Sequence, residues 1–381
     1  MKILLCGGGT GGHITPILAI AHEVKKLSPN SEIIYVGETG GKFVDLVRQH
    51  DDIDKVFQVR AGKLRRYHNQ AWIERFLDFK TNALNIRDVF RVIIGFFESL
   101  NLLIRDRPDV ILLKGGYVGL PLGFAAGLLR IPYITHDSDA RASLTNILVG
   151  KWAIFNTTGS ETEFYRYNQK KTIRVGVPVS DKYQSVNSSE KAKIRKILKI
   201  PTDSKMLFIT GGSLGANEVN IAFVSVYRRL LARYKNIYIV HQVGKGKMDV
   251  YGKINPDDNH LLIKEFIEDM YKYSAAADLV ITRGSATALA ELEVQGKTVI
   301  VIPNPHLTGG HQVMNGKEII KYNAGIVLSE AELIKNPEIL LNSIFRLLDD
   351  TKLSKELADN LSKLAVTDAA EQTAKILLKL K

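Results

Sequence analysis

A single cysteine, Cys6, stands in 381 residues, so no intrachain disulfide can form. That suits a reducing compartment. Cys6 lies inside an apolar run, where a thiol acts as a small buried hydrophobe rather than a nucleophile. Long hydrophobic runs are also missing. The most apolar stretch, Val118 to Leu129, stops at Arg130, and the run from Val92 to Ile104 is broken by Glu98. Both fall short of the ~20 residues a membrane-spanning helix needs. No secretory leader is expected, because Met1-Lys2-Ile3 opens straight into a strand and a glycine turn. Nor does the sequence carry a Cys/His cluster with zinc spacing, a zinc finger or an RRM signature. What it has in excess is positive charge, formally +12. That excess calls for an anionic partner: a nucleic acid, a lipid surface or an anionic small molecule.

Short apolar runs alternate with glycine-rich turns and helical patterns, which is the signature of parallel α/β domains. Strands are expected at Lys2–Cys6, Ile33–Val36, Val110–Leu113 and Tyr133–Thr135. The pattern restarts at Met206–Thr210 and continues through Ile237–Val240, Leu279–Thr282 and Thr298–Ile302. Both Lys2–Gly12 and Met206–Gly215 read as strand, glycine cluster, helix, so two Rossmann-like halves are expected rather than one long sheet. The polar segment from Gly176 to Lys205, with Pro178 and Pro201, is the candidate junction. The expected division is therefore 1–175 and 176–366. Leu353, Leu357, Leu361 and Leu364 recur at helical spacing. Asp368 and Glu371 then form a capping-box-like start to a final helix over 367–381, expected to pack back on the first half.

Gly7, Gly9 and Gly12 spell G-x-G-x-x-G. Such a loop lets backbone N–H groups and a helix N-terminus approach anionic oxygens. Alone, it would favour a dinucleotide-binding dehydrogenase with Glu38 on the ribose. Three more clusters follow strands, however: Gly115-Gly116-Tyr117, Gly211-Gly212-Ser213-Leu214-Gly215-Ala216, and Arg283-Gly284-Ser285-Ala286-Thr287. A dehydrogenase needs one pyrophosphate loop. Glycine turns in both halves point instead to a nucleotide diphosphate in one and a second phosphorylated molecule in the other.

At this point a resemblance becomes specific. G-G-G-T-G-G-H-I-T-P-I-L-A-I-A at 7–21, G-G-Y-V-G-L-P at 115–121 and G-G-S-L-G-A at 211–216 resemble the three glycine loops of the MurG family. H-D-S-D-A-R-A-S-L-T-N at 136–146 is similar to that family's H-E-x-N segment. Phe266 to Met270, Arg283 to Glu291, and Gln312 with Asn315 complete the series in the family's order. The resemblance implies a GT-B fold, two Rossmann-like parallel-sheet domains facing across a cleft. It implies inverting transfer of N-acetylglucosamine from UDP-N-acetylglucosamine to undecaprenyl-diphosphate-linked N-acetylmuramyl-pentapeptide, with no cofactor and no metal. It further implies a peripheral place on the cytoplasmic face of the cell membrane.

Carried onto this sequence, the second half binds the donor. Ser213, Leu214, Gly215 and Ala216 meet the diphosphate at a helix start, where the dipole favours anions by ~0.3–1 kcal/mol. Ile267 hydrogen-bonds uracil through its backbone beside Phe266, Glu291 accepts from the ribose hydroxyls, and Gln312 reads the sugar. Ala286 and Thr287 complete that set, together with Thr10, Gly11 and Gly12 of the first loop. In the first half, Gly115, Gly116, Tyr117, Asp139 and Asn146 take the acceptor, whose diphosphate also lies against Gly11-Gly12. His13 is the favoured base, having a pKa suited to the task; Asp137 and Asp139 are its rivals. Asp137-Ser138-Asp139 spells D-x-D, a metal motif in another glycosyltransferase fold, but its position matches the family's non-metal segment.

Two features depart from the family pattern. Ser180 stands where an arginine commonly follows the junction proline, so a donor-side cation is either missing or supplied elsewhere, for example by Lys245 or Arg283. The stretch Arg60–Lys80 is longer than usual and carries Arg60, Lys63, Arg65, Arg66, Arg75 and Lys80 interleaved with Trp72, Phe76, Leu77 and Phe79. Basic groups beside aromatics suit an anionic membrane surface. The competing expectations are a GT-B enzyme for another lipid-linked glycan, a UDP-sugar epimerase, and a basic membrane-surface or nucleic-acid-binding protein. Nucleic acid is not expected as a partner.

Overall fold

The computed structural model describes residues 1–9, 11–63, 78–212, 215–252, 260–307 and 310–380, and for 79 and 80 the backbone alone. The chain divides into two compact units. One comprises Met1–Ser180 with Thr367–Lys381, the other Asp181–Val366.

The first unit is built on β1 (Lys2–Cys6), β2 (Glu32–Glu38), β3 (Lys55–Val59), β4 (Val110–Leu113), β5 (Tyr133–Asp137), β6 (Phe155–Thr158) and β7 (Thr172–Arg174), with helices α1 (Gly11–Leu27), α2 (Val44–Arg48), α3 (Phe79–Asp106), α4 (Gly119–Leu129) and α5 (Leu144–Val149). Its seven strands are parallel, in the order β3-β2-β1-β4-β5-β6-β7. Parallel strands covered on both faces read as unbroken apolar runs, and β1 is one. Ile3 and Leu5 enter the core packed by α1, while Leu4 and Cys6 enter the core on the opposite face. Side-chain alternation along the strand thus feeds two cores at once.

The second unit holds β8 (Lys205–Thr210), β9 (Ile237–Gln242), β10 (Leu261–Lys264), β11 (Leu279–Thr282), β12 (Val299–Val301) and β13 (Ile326–Val327). Its helices are α6 (Ser188–Ile197), α7 (Asn217–Arg233), α8 (Met270–Ala276), α9 (Ala286–Val294), α10 (His311–Lys321), α11 (Glu330–Lys335), α12 (Glu338–Asp349) and α13 (Thr351–Ser362). The six strands are parallel in the order β10-β9-β8-β11-β12-β13. Leu207 and Ile209 of β8 enter one core, Met206 and Phe208 the other. An ion-pair cluster ties α6 to the start of β11, where half-buried Asp278 takes buried Arg195 at 2.8 Å and Lys191 at 2.5 Å.

The chain then returns to the first unit. In α14 (Ala369–Lys379), Ala374 and Leu377 are fully buried in the core shared with Ile14, Ile17 and Ile20 of α1. The capping box expected at its start does not form. Asp368 instead accepts from the Gln372 side-chain amide at 2.8 Å, and no side-chain bond caps the helix. The two-sheet α/β architecture expected from the restarted pattern is what the chain adopts. Among the described residues no helix is long and apolar enough to cross a membrane.

Candidate functional site

In both sheets the order of strands reverses next to the first strand. Connections from β1 run one way to β2 and the other way to β4; those from β8 run to β9 and to β11. The crevice outside the carboxyl ends at such a reversal is where open α/β sheets bind ligands. Each crevice here is lined by glycine turns.

In the first unit Cys6 pairs with Leu113, and Leu113 with Thr135. The loops after β1, β4 and β5 therefore leave the sheet side by side. Gly116 has φ +75°, and a Cβ there would lie 3.1 Å from the Gly8 carbonyl oxygen and 3.7 Å from the His13 ring. The first two glycine loops are thus in close contact, with half-buried His13, the third residue of α1, against the second. The ring of Tyr117 closes over Gly9. Gly11, Gly12, His13, Gly115, Gly116 and Tyr117 come together as one surface; Thr10 lies outside the described residues.

The segment after β5 works differently from expectation. Asp137 is buried with both carboxylate oxygens engaged: one accepts the Ser143 N–H at 2.9 Å, the other the Tyr167 hydroxyl at 2.5 Å. Burial pushes its carboxyl up, and these donors pull it back. A general base must reach the substrate proton within ~2.6–3.2 Å, and a carboxylate occupied from two sides inside the fold does not. The geometry makes Asp137 the frame of the 138–143 turn. Asn146 is likewise fully buried, its amide donating to the His136 carbonyl at 3.0 Å. Asp139 stays half-buried at the turn, its carbonyl accepting from Tyr165 at 2.6 Å.

In the second unit, Gly212 and Gly215 take φ +78° and +66°, while Ser213 and Leu214 lie outside the described residues. Ala216 is the N-cap of α7 and makes no side-chain hydrogen bond, so among the described residues the first-turn N–H groups have no side-chain cap from that position. Two residues missed in the sequence hold this turn. Gln242 donates to the Gly212 carbonyl at 3.0 Å and Lys247 to the Gly215 carbonyl at 3.3 Å. Lys247 thereby brings a cation to the turn, which neither charge pattern nor spacing had singled out. Lys245 is exposed. Arg283 is corrected as the replacement cation: its guanidinium is paired with Glu330, both side chains buried, so its charge is already spent inside the fold.

The neighbouring turn after β11 begins α9 with Ala286 and Thr287, both buried, capped by the Ser285 hydroxyl. Asn315 of α10 ties this turn down by donating to the Gly284 carbonyl at 3.1 Å, while Gln312 accepts from the Asn304 N–H at 2.9 Å. Ile267 follows β10, two strands from β8; its side chain is core and Phe266 beside it is exposed. A core side chain at Ile267 leaves only backbone groups for recognition.

Glu291, in the second turn of α9, is half-buried. Burial pushes its carboxyl up to about 8, against the pull of a hydrogen bond from Tyr183. Between the ordinary 4.5 and about 8, the folded chain therefore holds a proton that the unfolded chain has released. More protons on the native state make stability fall as pH rises through that window, the opposite of an ion-paired carboxylate. Glu291→Gln keeps the hydrogen bond without the titration. It is expected to melt above the parent protein at pH 8 and close to it at pH 4.5, while binding UDP more weakly. A melting series across pH checks this; an offset independent of pH would contradict it.

Two doubly wound parallel sheets, each with glycine turns at its reversal point, define a GT-B-type glycosyltransferase architecture. The chain belongs to glycosyltransferase family 28, whose N-terminal domain matches residues 3–154 and whose C-terminal domain matches residues 206–373. Over 383 residues it is 31% identical to the UDP-N-acetylglucosamine–N-acetylmuramyl-(pentapeptide) pyrophosphoryl-undecaprenol N-acetylglucosamine transferase of Bacillus cytotoxicus, covering 100% of this chain and 99% of that one. The crystal structure of Acinetobacter baumannii MurG superposes with a TM-score of 0.73 at 22% identity, over 99% of each chain. A UDP-GlcNAc 2-epimerase from Neisseria meningitidis bound to UDP-GlcNAc shares the fold at a TM-score of 0.66 and 16% identity, over 100% of both chains. The family resemblance read from the glycine loops is borne out.

Proposed function

We propose that this chain transfers N-acetylglucosamine from UDP-N-acetylglucosamine to undecaprenyl-diphosphate-linked N-acetylmuramyl-pentapeptide, releasing UDP, as a step of peptidoglycan synthesis. The observation that carries the reading is the pair of glycine-lined reversal points, one per sheet. Two diphosphate-bearing substrates need two such places. The full-length likeness to the Bacillus cytotoxicus transferase supplies the substrate names.

The donor is assigned to the second unit, its diphosphate at Gly211–Ala216 and the start of α7, its ribose at Glu291. The acceptor is assigned to the first unit, at Gly115, Gly116 and Asp139. His13 removes the proton from the acceptor's 4-hydroxyl. That oxygen bonds to the anomeric carbon from the side opposite the leaving group, the bond to UDP breaks, and the configuration inverts. Backbone amides at the helix start take the charge that develops on UDP. Asp137 and Asn146 hold the acceptor turn from beneath.

A place on an anionic membrane surface follows from the lipid acceptor. It is supported by α3, which exposes Ile86, Phe90, Ile93 and Phe97 along one face, Phe97 to 62%. Of Arg60–Lys80, residues 64–77 lie outside the described residues; Arg60 pairs with Glu98 at 3.2 Å, which tempers its share of the charge. Co-sedimentation with anionic vesicles tests that placement, and absence of salt-sensitive binding would remove it.

The reaction is tested by following UDP release from UDP-N-acetylglucosamine with and without a short-chain polyprenyl version of the acceptor. Release is expected only with both substrates present. Turnover of the donor alone would favour an epimerase, and a failure of UDP to bind in calorimetry would sink the enzyme reading altogether.

A further inference from the structure

Lys114 follows β4 directly and sits beneath the first glycine loop. A Cβ on Gly7 would lie 3.3 Å from the Lys114 Cβ. The side chain is 1% exposed. Its ammonium donates to the Ser138 hydroxyl at 2.7 Å, its one hydrogen bond among the described residues. The chain of contacts continues in a fixed sense. Thr157 gives its hydroxyl proton to the Thr135 carbonyl at 2.9 Å, so it accepts from Nδ1–H of His136 at 3.0 Å. Nε2 of His136 is then the acceptor and receives the Ser138 hydroxyl proton at 3.3 Å. Lys114, Ser138, His136 and Thr157 form one directed row running from the first glycine loop across β5 to β6.

A purely structural reason for this lysine is hard to find. An ammonium taken out of water needs several partners to offset its desolvation, and a well-packed apolar side chain of similar volume is often as good or better. Lys114 has one hydroxyl and the nearby carboxylates of Asp137 and Asp139. What its contact does accomplish is to pin Ser138, the residue between those two acids.

We propose that Lys114 is a positioning residue of the acceptor site: by holding Ser138, it fixes the turn that presents Asp139 beside the first two glycine loops. The inference rests on the acceptor assignment made above. The titratable groups around the ammonium are Asp137 and Asp139, with His136 on β5 coupled in turn to His13 on α1. Burial pulls the ammonium down to about 8, with the two carboxylates opposing. Burial keeps His136 well below its usual range, hence neutral. The lysine is therefore the member of the row that changes charge just above neutral pH.

The test compares Lys114→Met, Lys114→Arg and Ser138→Ala in the full chain, using the short-chain polyprenyl acceptor and UDP-N-acetylglucosamine. Lys114→Met is expected to lower kcat/KM for the acceptor by about 10–100-fold while the UDP Kd stays within about twofold. Ser138→Ala, which leaves the fold's charges in place, should reproduce a substantial part of that loss. In the parent, kcat/KM for the acceptor should fall as pH rises through about 8; Lys114→Arg should recover activity and move that fall to higher pH. A folded Lys114→Met with unchanged acceptor kinetics overturns the proposal, as does a loss shared equally by donor and acceptor, or an unaffected Ser138→Ala. If the parent itself fails to release UDP with this acceptor, the functional reading fails instead, and the two failures are told apart by that control.

Discussion

Replacing His13 with alanine is expected to slow turnover by about 10²–10⁴-fold, the range typical of a lost general base, while leaving UDP affinity within about twofold. The separation follows from where the residue sits. His13 sits in the first turn of α1 in the first unit and lies against Gly116 of the second loop. The turn assigned to UDP is carried by β8 and α7 of the other unit. The nucleotide is assigned to backbone groups of that turn, which the His13 side chain does not build. Single-turnover kinetics with saturating donor, together with calorimetry for UDP, measure both quantities. A parallel drop in UDP affinity would mean that His13 holds the donor, and the assignment of substrates to units would be wrong. Turnover near the parent's would favour Asp139 as the base, because both oxygens of buried Asp137 already accept hydrogen bonds from the protein.

The second large effect belongs to Gly215. A Cβ there would stand 2.0 Å from the Val243 carbonyl oxygen and 2.7 Å from the Gly244 Cα, both backbone atoms that cannot swing aside. Its φ of +66° adds the left-handed penalty of ~1–2 kcal/mol for a residue with a side chain. Gly215→Ala must therefore displace the turn or the strand end after β9. UDP affinity is expected to fall at least about tenfold, equivalent to ~1.4 kcal/mol. Gly212 supplies the control. It has a similar φ of +78°, but its Cβ would meet nothing within 4 Å among the described residues, so Gly212→Ala carries the strain without the backbone collision at Val243 and should lose less. Equal losses at the two positions would show that φ alone matters and that contact with Val243 does not shape the site.

The sequence made legible those parts of the fold where physics writes a plain pattern. β1, β4, β8 and β11 are buried on both faces and read as unbroken apolar runs. β6 escaped notice because Asn156, Thr157 and Thr158 are polar yet buried, paired inside the sheet through contacts such as Thr135 to Asn156 at 2.7 Å. β7 and β13 are short edge strands that never become fully buried. Of the site, the glycine turns were visible because their spacing after strands is local. Lys114 and Lys247 were not, since a lysine in sequence reads as a surface residue, and only the folded chain sets one under a glycine loop and the other against the Gly215 carbonyl. Asp137 reads in sequence like a catalytic acid. Its engagement by Tyr167 and Ser143 depends on chain 30 and 6 residues away.

The last helix gives the protein a timetable. Since α14 packs beside α1 with Ala374 and Leu377, the half of the molecule made first lacks a wall until the second unit, Asp181–Val366, has been made. A domain that emerges early would ordinarily settle on its own during synthesis; here the flank of α1 is covered only by residues made after the whole second unit. Cutting the chain after Val366 would leave that flank bare for good, and a bulky fusion at the carboxyl end would have to be carried past it.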